Sequence, residues 1–516
     1  MTSKVQIYPV DHLCPIKGTI YTKDNIAYSC TLNQTDIEAN KNKFYIMQIV
    51  KSASDYNLHI RYGRISENGK VISKSFNSEN SAIAEFCKQF KAKTGNTFGT
   101  SGFVKKTGKY FMTAVQYEVE ESVIKDETKT EKKASALDDR QKFLMELFTN
   151  KKTMENTLVS MSINPKKMPL GKISKSQLDE AGKILSQIRE YLNKDKENDS
   201  DNESGNDSDD NSDSSDDLEL SGGSDEESEN KNIQNDLIYT SLSSEFYTLV
   251  PYSCGRNRPP IINSDELLGK FSDMIDELKN LEVAIKVTKQ GGDNLDNVYN
   301  SLDAQIKPVI KDSKMWKVIS DYIVNTHGST HKFSTQLVDI YELARNGESS
   351  DVEKTLKQIG NRQLLWHGSR MTNFCSIIKN GLILNPETLG VYVSGKMFGQ
   401  GVYLASAFSK SVNYCASDTS GGYACLLLCE SALGTQLKKT QADGYLGPVK
   451  LKAEKCHSTW GQGQNTPSSS VKIDDMVVPN GKLKKSDVSS SCLLYDEYIV
   501  YNTNQISLKY LVIVKL

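Results

Sequence analysis

The sequence predicts a multidomain chain with a small α+β module, an all-α module and a larger α+β domain, in that order. Three observations predict it. At 516 residues the chain exceeds what one hydrophobic core ordinarily organises. Its apolar period changes from two to helical after residue 136, and becomes mixed beyond residue 290. The block 195–230 holds sixteen Asp or Glu against one Lys, nine serines, no aromatic residue and only Leu218 and Leu220 as large apolar groups. It buries too little surface to offset chain entropy, so a disordered acidic insertion is expected over 195–231.

Residues 1–25 show no sustained period and are expected to form a flexible N-terminal tail. In the first module, 26–122, strands are expected at 44–50 and 56–65. The second puts Leu58, Ile60 and Tyr62 on one face and Asn57, His59 and Arg61 on the other, the pattern of a half-buried strand. Ser78 and Glu79 open a helix with Ile83, Phe86, Cys87 and Phe90 at core spacing, and Gly95 stands where a left-handed C-cap ends it. Between Lys41 and Glu120, thirteen Lys or Arg outnumber six acidic residues, with Tyr62, Phe98, Phe103, Tyr110 and Phe111 interleaved. That mixture fits a nucleic-acid surface, and equally a set of core aromatics beside a solvated basic face.

The charged stretch 123–136 is expected to be a linker. In 137–290, Phe143, Leu144, Leu147 and Phe148 recur at helical spacing. After a Ser174 cap, with Gln177 completing a capping box, Leu178, Ala181, Ile184, Leu185 and Ile188 do the same. Leu267, Leu268, Phe271, Ile275, Leu278 and Leu281 resume the pattern beyond the insertion. In 291–516, strands expected at 363–366, 424–429, 495–501 and 508–514 alternate with short helices and Gly-rich turns, an α+β domain.

The net charge of −2 hides an asymmetry, because the acidic block contributes −15 and the remainder +13. A basic remainder suggests a polyanionic partner, nucleic acid or acidic protein. The longest apolar runs are too short to cross a bilayer, so no membrane partner is expected. No secretory signal opens the chain, so its ten cysteines are expected to be free thiols in a reducing compartment. Cys425 and Cys429, like His327 and His331, stand four apart without further ligands at familiar spacing, and no metal is expected.

Three segments carry candidate chemistry. Leu364-Leu365-Trp366-His367-Gly368-Ser369-Arg370 places a polar turn directly after an apolar strand; by itself such a histidine is as readily structural. Met397-Phe398-Gly399-Gln400-Gly401-Val402-Tyr403-Leu404-Ala405-Ser406 is a glycine-hinged turn, a strand and a Ser N-cap, after which Ser411 and Tyr414 share a helix face. An ordinary loop with core tyrosines has the same pattern. In Leu493-Leu494-Tyr495-Asp496-Glu497-Tyr498-Ile499-Val500-Tyr501, Glu497 lies on an alternating strand where an unpartnered carboxylate is costly, so it is either paired or used.

Together these segments resemble the ADP-ribosyltransferase domain of the DNA-dependent poly(ADP-ribose) polymerases, with its His, Tyr and Glu triad. Upstream, Leu32-Asn33-Gln34-Thr35, Tyr62-Gly63-Arg64 and Lys93-Thr94-Gly95-Asn96 resemble that family's Trp-Gly-Arg domain. Lys167-Met168-Pro169-Leu170-Gly171-Lys172-Ile173-Ser174 resembles the opening of its regulatory helical domain. With no zinc fingers, the chain is most similar to the short, type 2 branch of the family.

The resemblance implies an enzyme that uses NAD as substrate and no metal, building poly(ADP-ribose) on acceptor proteins, itself included, when DNA strands break. It implies catalytic roles for Glu497, His367 and Tyr403. Gly368 and Ser411 would bond the nicotinamide amide, Tyr403 and Tyr414 would flank the ring, and His367, with Ser369 beside it, would hold the adenine-side ribose. Asp273 and Asp276 would be regulatory, Tyr62 and Arg64 would meet DNA, and the location would be nuclear. A mono(ADP-ribosyl)transferase and a catalytically silent DNA-end scaffold are the alternatives, the second opposed by the intact triad. The chain departs from the family pattern at Tyr62, which replaces Trp, and at Asn280, where relatives often have a further Asp. Lys396 and Ile383 stand where relatives often carry Tyr and Arg near the nicotinamide and adenosine.

Overall fold

The computed structural model describes residues 5–65, 67–100, 102–113, 118–120, 135–164, 174–203, 224–292, 294–384, 396–488 and 490–516. The chain divides into two compact units, Met1–Thr130 with Met161–Ile275, and Glu131–Ser160 with Asp276–Leu516.

In the first unit an antiparallel sheet runs in the order Lys70–Phe76, Tyr56–Arg64, Lys41–Lys51, Ser29–Asp36 and Phe111–Thr113, with Thr19–Ile20 added against Lys41–Lys51. The helix Glu79–Thr94 covers one face, burying Ala82, Phe86 and Phe90 against Leu32, Met47, Ile49, Leu58 and Ile60. Gly95 ends that helix in the left-handed conformation, φ 71°, as its position predicts.

Two expectations for this unit change. Residues 8–25 are not a loose tail, because Asp11 is buried and its carboxylate accepts from His59 Nε2 at 2.9 Å, Arg61 Nε at 2.6 Å and Arg61 Nη2 at 2.9 Å. The segment around Asp11 therefore covers the polar face of Tyr56–Arg64, and that strand is buried on both sides, with His59 at 0% and Arg61 at 2% exposure. Burial alone would raise the Asp11 pKa, but the hydrogen bonds and charges of His59 and Arg61 hold it well below the usual carboxylate range.

The helices Lys175–Glu203 and Ser224–Leu249 also belong to this unit, as does Asp265–Gly291 as far as Ile275. They occupy 195–203 and 224–231, so both ends of the expected insertion are helical; 204–223 lies outside the described residues, as do most of the expected linker and 165–173. Ser174 Oγ accepts the Gln177 N–H at 3.2 Å, but the Gln177 side chain bonds the Leu249 carbonyl, so tertiary packing takes the group a capping box would use. Thr248 Oγ1 accepts from Thr35 N at 3.1 Å and Ser244 Oγ from Ile37 N at 3.1 Å, stitching Ser224–Leu249 to the sheet edge.

The second unit is built on a mixed sheet ordered Ala304–Pro308, Gln336–Arg345, Ile506–Lys515, Tyr423–Ala432, Arg362–Gly368, Val402–Ala405, Glu497–Val500, Ser458–Gly461 and Gln436–Lys439. Ile319, Tyr322, Leu364, Trp366, Phe408, Leu426, Leu428 and Val512 form its core. The expected strand over 495–501 is broken at Asp496, which leaves the ladder to accept the Gly463 N–H at 2.7 Å. The helix expected to carry a Ser406 cap is capped from elsewhere, with Phe408 N–H donating to Thr326 Oγ1 at 3.0 Å. Asp138 and Gln141 do form a capping box on Asp139–Phe148. From that helix Arg140 Nε donates to buried Asp339 at 2.8 Å and Nη1 to Val309 O at 3.0 Å, which ties the helix to the sheet.

Replacing Arg140 with Ala strands a buried carboxylate and is expected to cost this unit about 3 kcal/mol. All three tryptophans, Trp316, Trp366 and Trp460, lie in this unit, so urea unfolding followed by tryptophan fluorescence reads the loss directly. The double change Arg140→Met with Asp339→Leu should recover much of it, because no charge is then left unpaired.

Candidate active site

His367, Tyr403 and Glu497 stand on three strands that are neighbours in one sheet. Ala405 pairs with Trp366 on one side and with Glu497 on the other, so a single row of residues fixes the register of all three strands. The ladder also places Tyr403 opposite Ile499. Across the first seam His367 Nδ1 lies 3.0 Å from the Tyr403 carbonyl oxygen, which only accepts, so Nδ1 carries the proton and Nε2 is left as an acceptor. Burial lowers the pKa of His367; the bond to Tyr403 O opposes this and the Lys396 charge adds to it.

The Tyr403 phenol is locked, donating to Gly399 O at 2.7 Å and accepting from Phe398 N at 3.0 Å. Gly399, at φ 70°, is required there, since a Cβ would lie 1.9 Å from Leu446 O. Gly368 is required for close approach, since a Cβ would meet Ser411 O at 1.8 Å. Ser411 is buried beneath that turn, whereas Tyr414 is 62% exposed and offers its ring to a ligand. Burial raises the pKa of Tyr403 against the opposing bond from Phe398 N–H, and the Glu497 charge adds to the rise.

Glu497 is both paired and available. It is 7% exposed; Oε1 lies 2.8 Å from Lys410 Nζ, while buried Oε2 has no hydrogen-bond partner among the described residues. Lys410 also donates to Tyr495 O at 2.9 Å, and burial lowers its pKa against the opposing pull of Glu497. An uncommitted buried carboxylate oxygen is costly in a fold and useful in a site.

Of the residues singled out in the sequence, the structure thus brings His367, Gly368, Tyr403, Ser411, Tyr414 and Glu497 to one place. Ser369 Oγ accepts from Asn373 Nδ2 at 3.0 Å, and the same amide donates to Glu277 Oε1 at 3.0 Å. Asp273 and Asp276 are exposed on the helix Asp265–Gly291. In the first unit Tyr62 stacks on Tyr45 at 5.7 Å, and Arg64 donates to Gly255 O and Asn257 O, both at 2.6 Å, so its guanidinium holds the loop after Ser224–Leu249. Lys410, Asn373 and Glu277 adjoin these residues without a sequence motif that marks them. Lys410 alone has a local signal, a charged residue next to Ser411 on the short helix Phe408–Val412; Glu277 meets Asn373 from an element distant in sequence.

Gly368→Ala is expected to weaken binding of benzamide, a neutral nicotinamide mimic, by about 100-fold or more, because the methyl group displaces Ser411. Tyr414→Ala, which removes an exposed ring and leaves the fold intact, should weaken it about tenfold. Titration calorimetry checks both.

Comparison with known proteins identifies the modules. Residues 313–516 match the poly(ADP-ribose) polymerase catalytic domain, 135–305 the poly(ADP-ribose) polymerase regulatory domain and 28–104 the WGR domain. Human poly(ADP-ribose) polymerase 2 is 31% identical over 98% of this chain and 82% of its own length. Poly(ADP-ribose) polymerase 1 of Xenopus laevis is 33% identical and the Drosophila melanogaster poly(ADP-ribose) polymerase 32%, each over 95% of this chain. The chain spans 46% of the length of each of those two relatives, about half. With its three modules in the order WGR, regulatory and catalytic, the chain belongs to the poly(ADP-ribose) polymerase family.

Proposed function

We propose that this chain is an NAD-dependent ADP-ribosyltransferase that builds poly(ADP-ribose) on proteins, itself included, when it meets DNA strand breaks, and that it acts in the nucleus. The observation that carries the reading is the divided state of Glu497, one oxygen held by Lys410 and the other uncommitted, beside the Tyr403 and His367 strands.

NAD is the substrate. The Gly368 backbone and Ser411 hydroxyl hold the nicotinamide amide, Tyr403 and Tyr414 flank the ring, and His367 Nε2 accepts from the adenine-side ribose, with Ser369 alongside. These contacts fix the dinucleotide while the bond between ribose C1′ and the ring nitrogen breaks. The bond pair leaves with nicotinamide, and positive charge builds on the ribose. Glu497 Oε2 bonds the nicotinamide-ribose hydroxyl and stabilises that charge. It then orients the acceptor hydroxyl, whose oxygen forms the new bond to C1′ as its proton passes to the Glu497 carboxylate. When the acceptor is a ribose already attached, the product is a chain.

The first unit supplies the break response. Tyr62 lies on the WGR sheet, and Arg64 links that sheet to the loop at 255–257, so DNA bound there bears on the helical segment. Asp273 and Asp276, on the helix that follows, are the proposed regulatory residues, and local opening of that helical module would admit NAD.

Release of nicotinamide should rise on adding a nicked duplex, and Glu497→Gln should lower it at least about 100-fold while polymer disappears from gels of labelled product. Single ADP-ribose units from the parent chain would favour mono-transfer, and no response to nicked DNA would remove the break-sensing part. The depressed proton affinity of His367 has a pH consequence. Nε2 stays an acceptor below the ordinary imidazole value of 6.5, so the acid limb assigned to His367 in the pH–rate profile should fall below that pH.

A further inference from the structure

We propose that Lys396 sets the charge preference of the nicotinamide pocket, its ammonium opposing the cationic ring of bound NAD but not the neutral nicotinamide that departs. The inference rests on the reading of the site as one that cleaves NAD, and adds to it a residue that divides binding from catalysis.

The placement of Lys396 is well defined. Its Nζ lies 5.7 Å from the centroid of the Tyr403 ring. That ring is fixed by the two hydrogen bonds of its hydroxyl, so the lysine is positioned against an immobile wall of the pocket. The lysine backbone is held as well, with Lys396 O accepting from Gly399 N at 3.2 Å and the adjoining Met397 O from Asp443 N at 2.7 Å. Its charge is also felt on the other side of the site, where it disfavours protonation of His367. Asp443, which is near in the chain fold, is committed to Lys439 and Lys450 at 2.8 and 2.9 Å, and no carboxylate among the described residues forms an ion pair with Lys396. The pocket wall therefore carries a positive charge that no carboxylate among the described residues pairs.

The nicotinamide ring of NAD is itself a cation. As the bond from C1′ to the ring nitrogen breaks, its electron pair passes to the ring, which becomes neutral, and the positive charge moves to the ribose beside Glu497. Repulsion between Lys396 and the ring is thus present in the bound substrate and relieved on the way to the transition state. That is the condition for an interaction to raise KM and kcat together. A tyrosine or other neutral side chain at 396 cannot do this. At separations near 10 Å and intermediate effective dielectric, the repulsion corresponds to roughly a fivefold to tenfold effect.

The test uses the full chain with a nicked duplex and compares the parent with Lys396→Gln and Lys396→Arg. For Lys396→Gln the expected result is a KM for NAD about fivefold lower, a kcat lower by a similar factor and kcat/KM nearly unchanged. Affinity for neutral benzamide should stay within about twofold, and the arginine variant, which keeps the charge, should behave as the parent. A lysine that merely packs on Tyr403 would shift NAD and benzamide together, and that outcome overturns the proposal, as does an unchanged KM for NAD. If the parent itself releases no nicotinamide, the NAD-cleaving reading fails and takes this proposal with it; release by the parent with an unaltered variant removes this proposal alone.

Discussion

Backbone pairing between the strands Arg362–Gly368, Val402–Ala405 and Glu497–Val500 is the constraint from which the rest of the site follows. A sheet fixes strand spacing near 4.8 Å and alternates side chains, so a one-residue slip would turn Glu497 away from the face it shares with Tyr403, while His367 is tied to the Tyr403 strand by its Nδ1 contact with the Tyr403 carbonyl. The row Trp366, Ala405, Glu497 removes that freedom. It does so inside a core where Trp366 is fully buried, so register and hydrophobic packing support each other.

Buried charge is used in two ways. Asp11 with His59 and Arg61, and Asp339 with Arg140, accept on both carboxylate oxygens and serve to fasten one segment onto a sheet. Glu497 is held on one oxygen only among the described residues, so it does not fasten a segment as those two do. Lys410 makes this division possible: it places a cation where the carboxylate needs support and, through Tyr495 O, is itself anchored to the strand before Asp496. Lys396 adds a second cation, 5.7 Å from the centroid of the Tyr403 ring.

Much of the fold and most of the site are legible in the sequence, because the information is local. The turn after Trp366, the glycine-hinged strand of Tyr403 and the alternating strand of Glu497 each announce themselves within ten residues, and the Gly95 C-cap is where its spacing puts it. What the sequence conceals is tertiary. Nothing near Asp11 signals that it will close the polar face of Tyr56–Arg64, so the strand looked half-buried and the segment looked loose. The caps of two helices shifted for the same reason: Thr326 supplies a bond expected from Ser406, and Leu249 O takes the Gln177 side chain. Glu277 bonds Asn373, which bonds Ser369, a link across distant stretches of the chain that no local pattern encodes.

The central claim is that an imidazole, a phenol and a carboxylate surround one dinucleotide. A crystal structure with a non-hydrolysable NAD analogue tests it most directly. The expected result is the carboxamide on the Gly368 backbone and Ser411 Oγ, the ring between Tyr403 and Tyr414, and Glu497 Oε2 within hydrogen-bond distance of the nicotinamide ribose. An analogue bound elsewhere, or bound here with its ribose beyond the reach of Glu497, would contradict it.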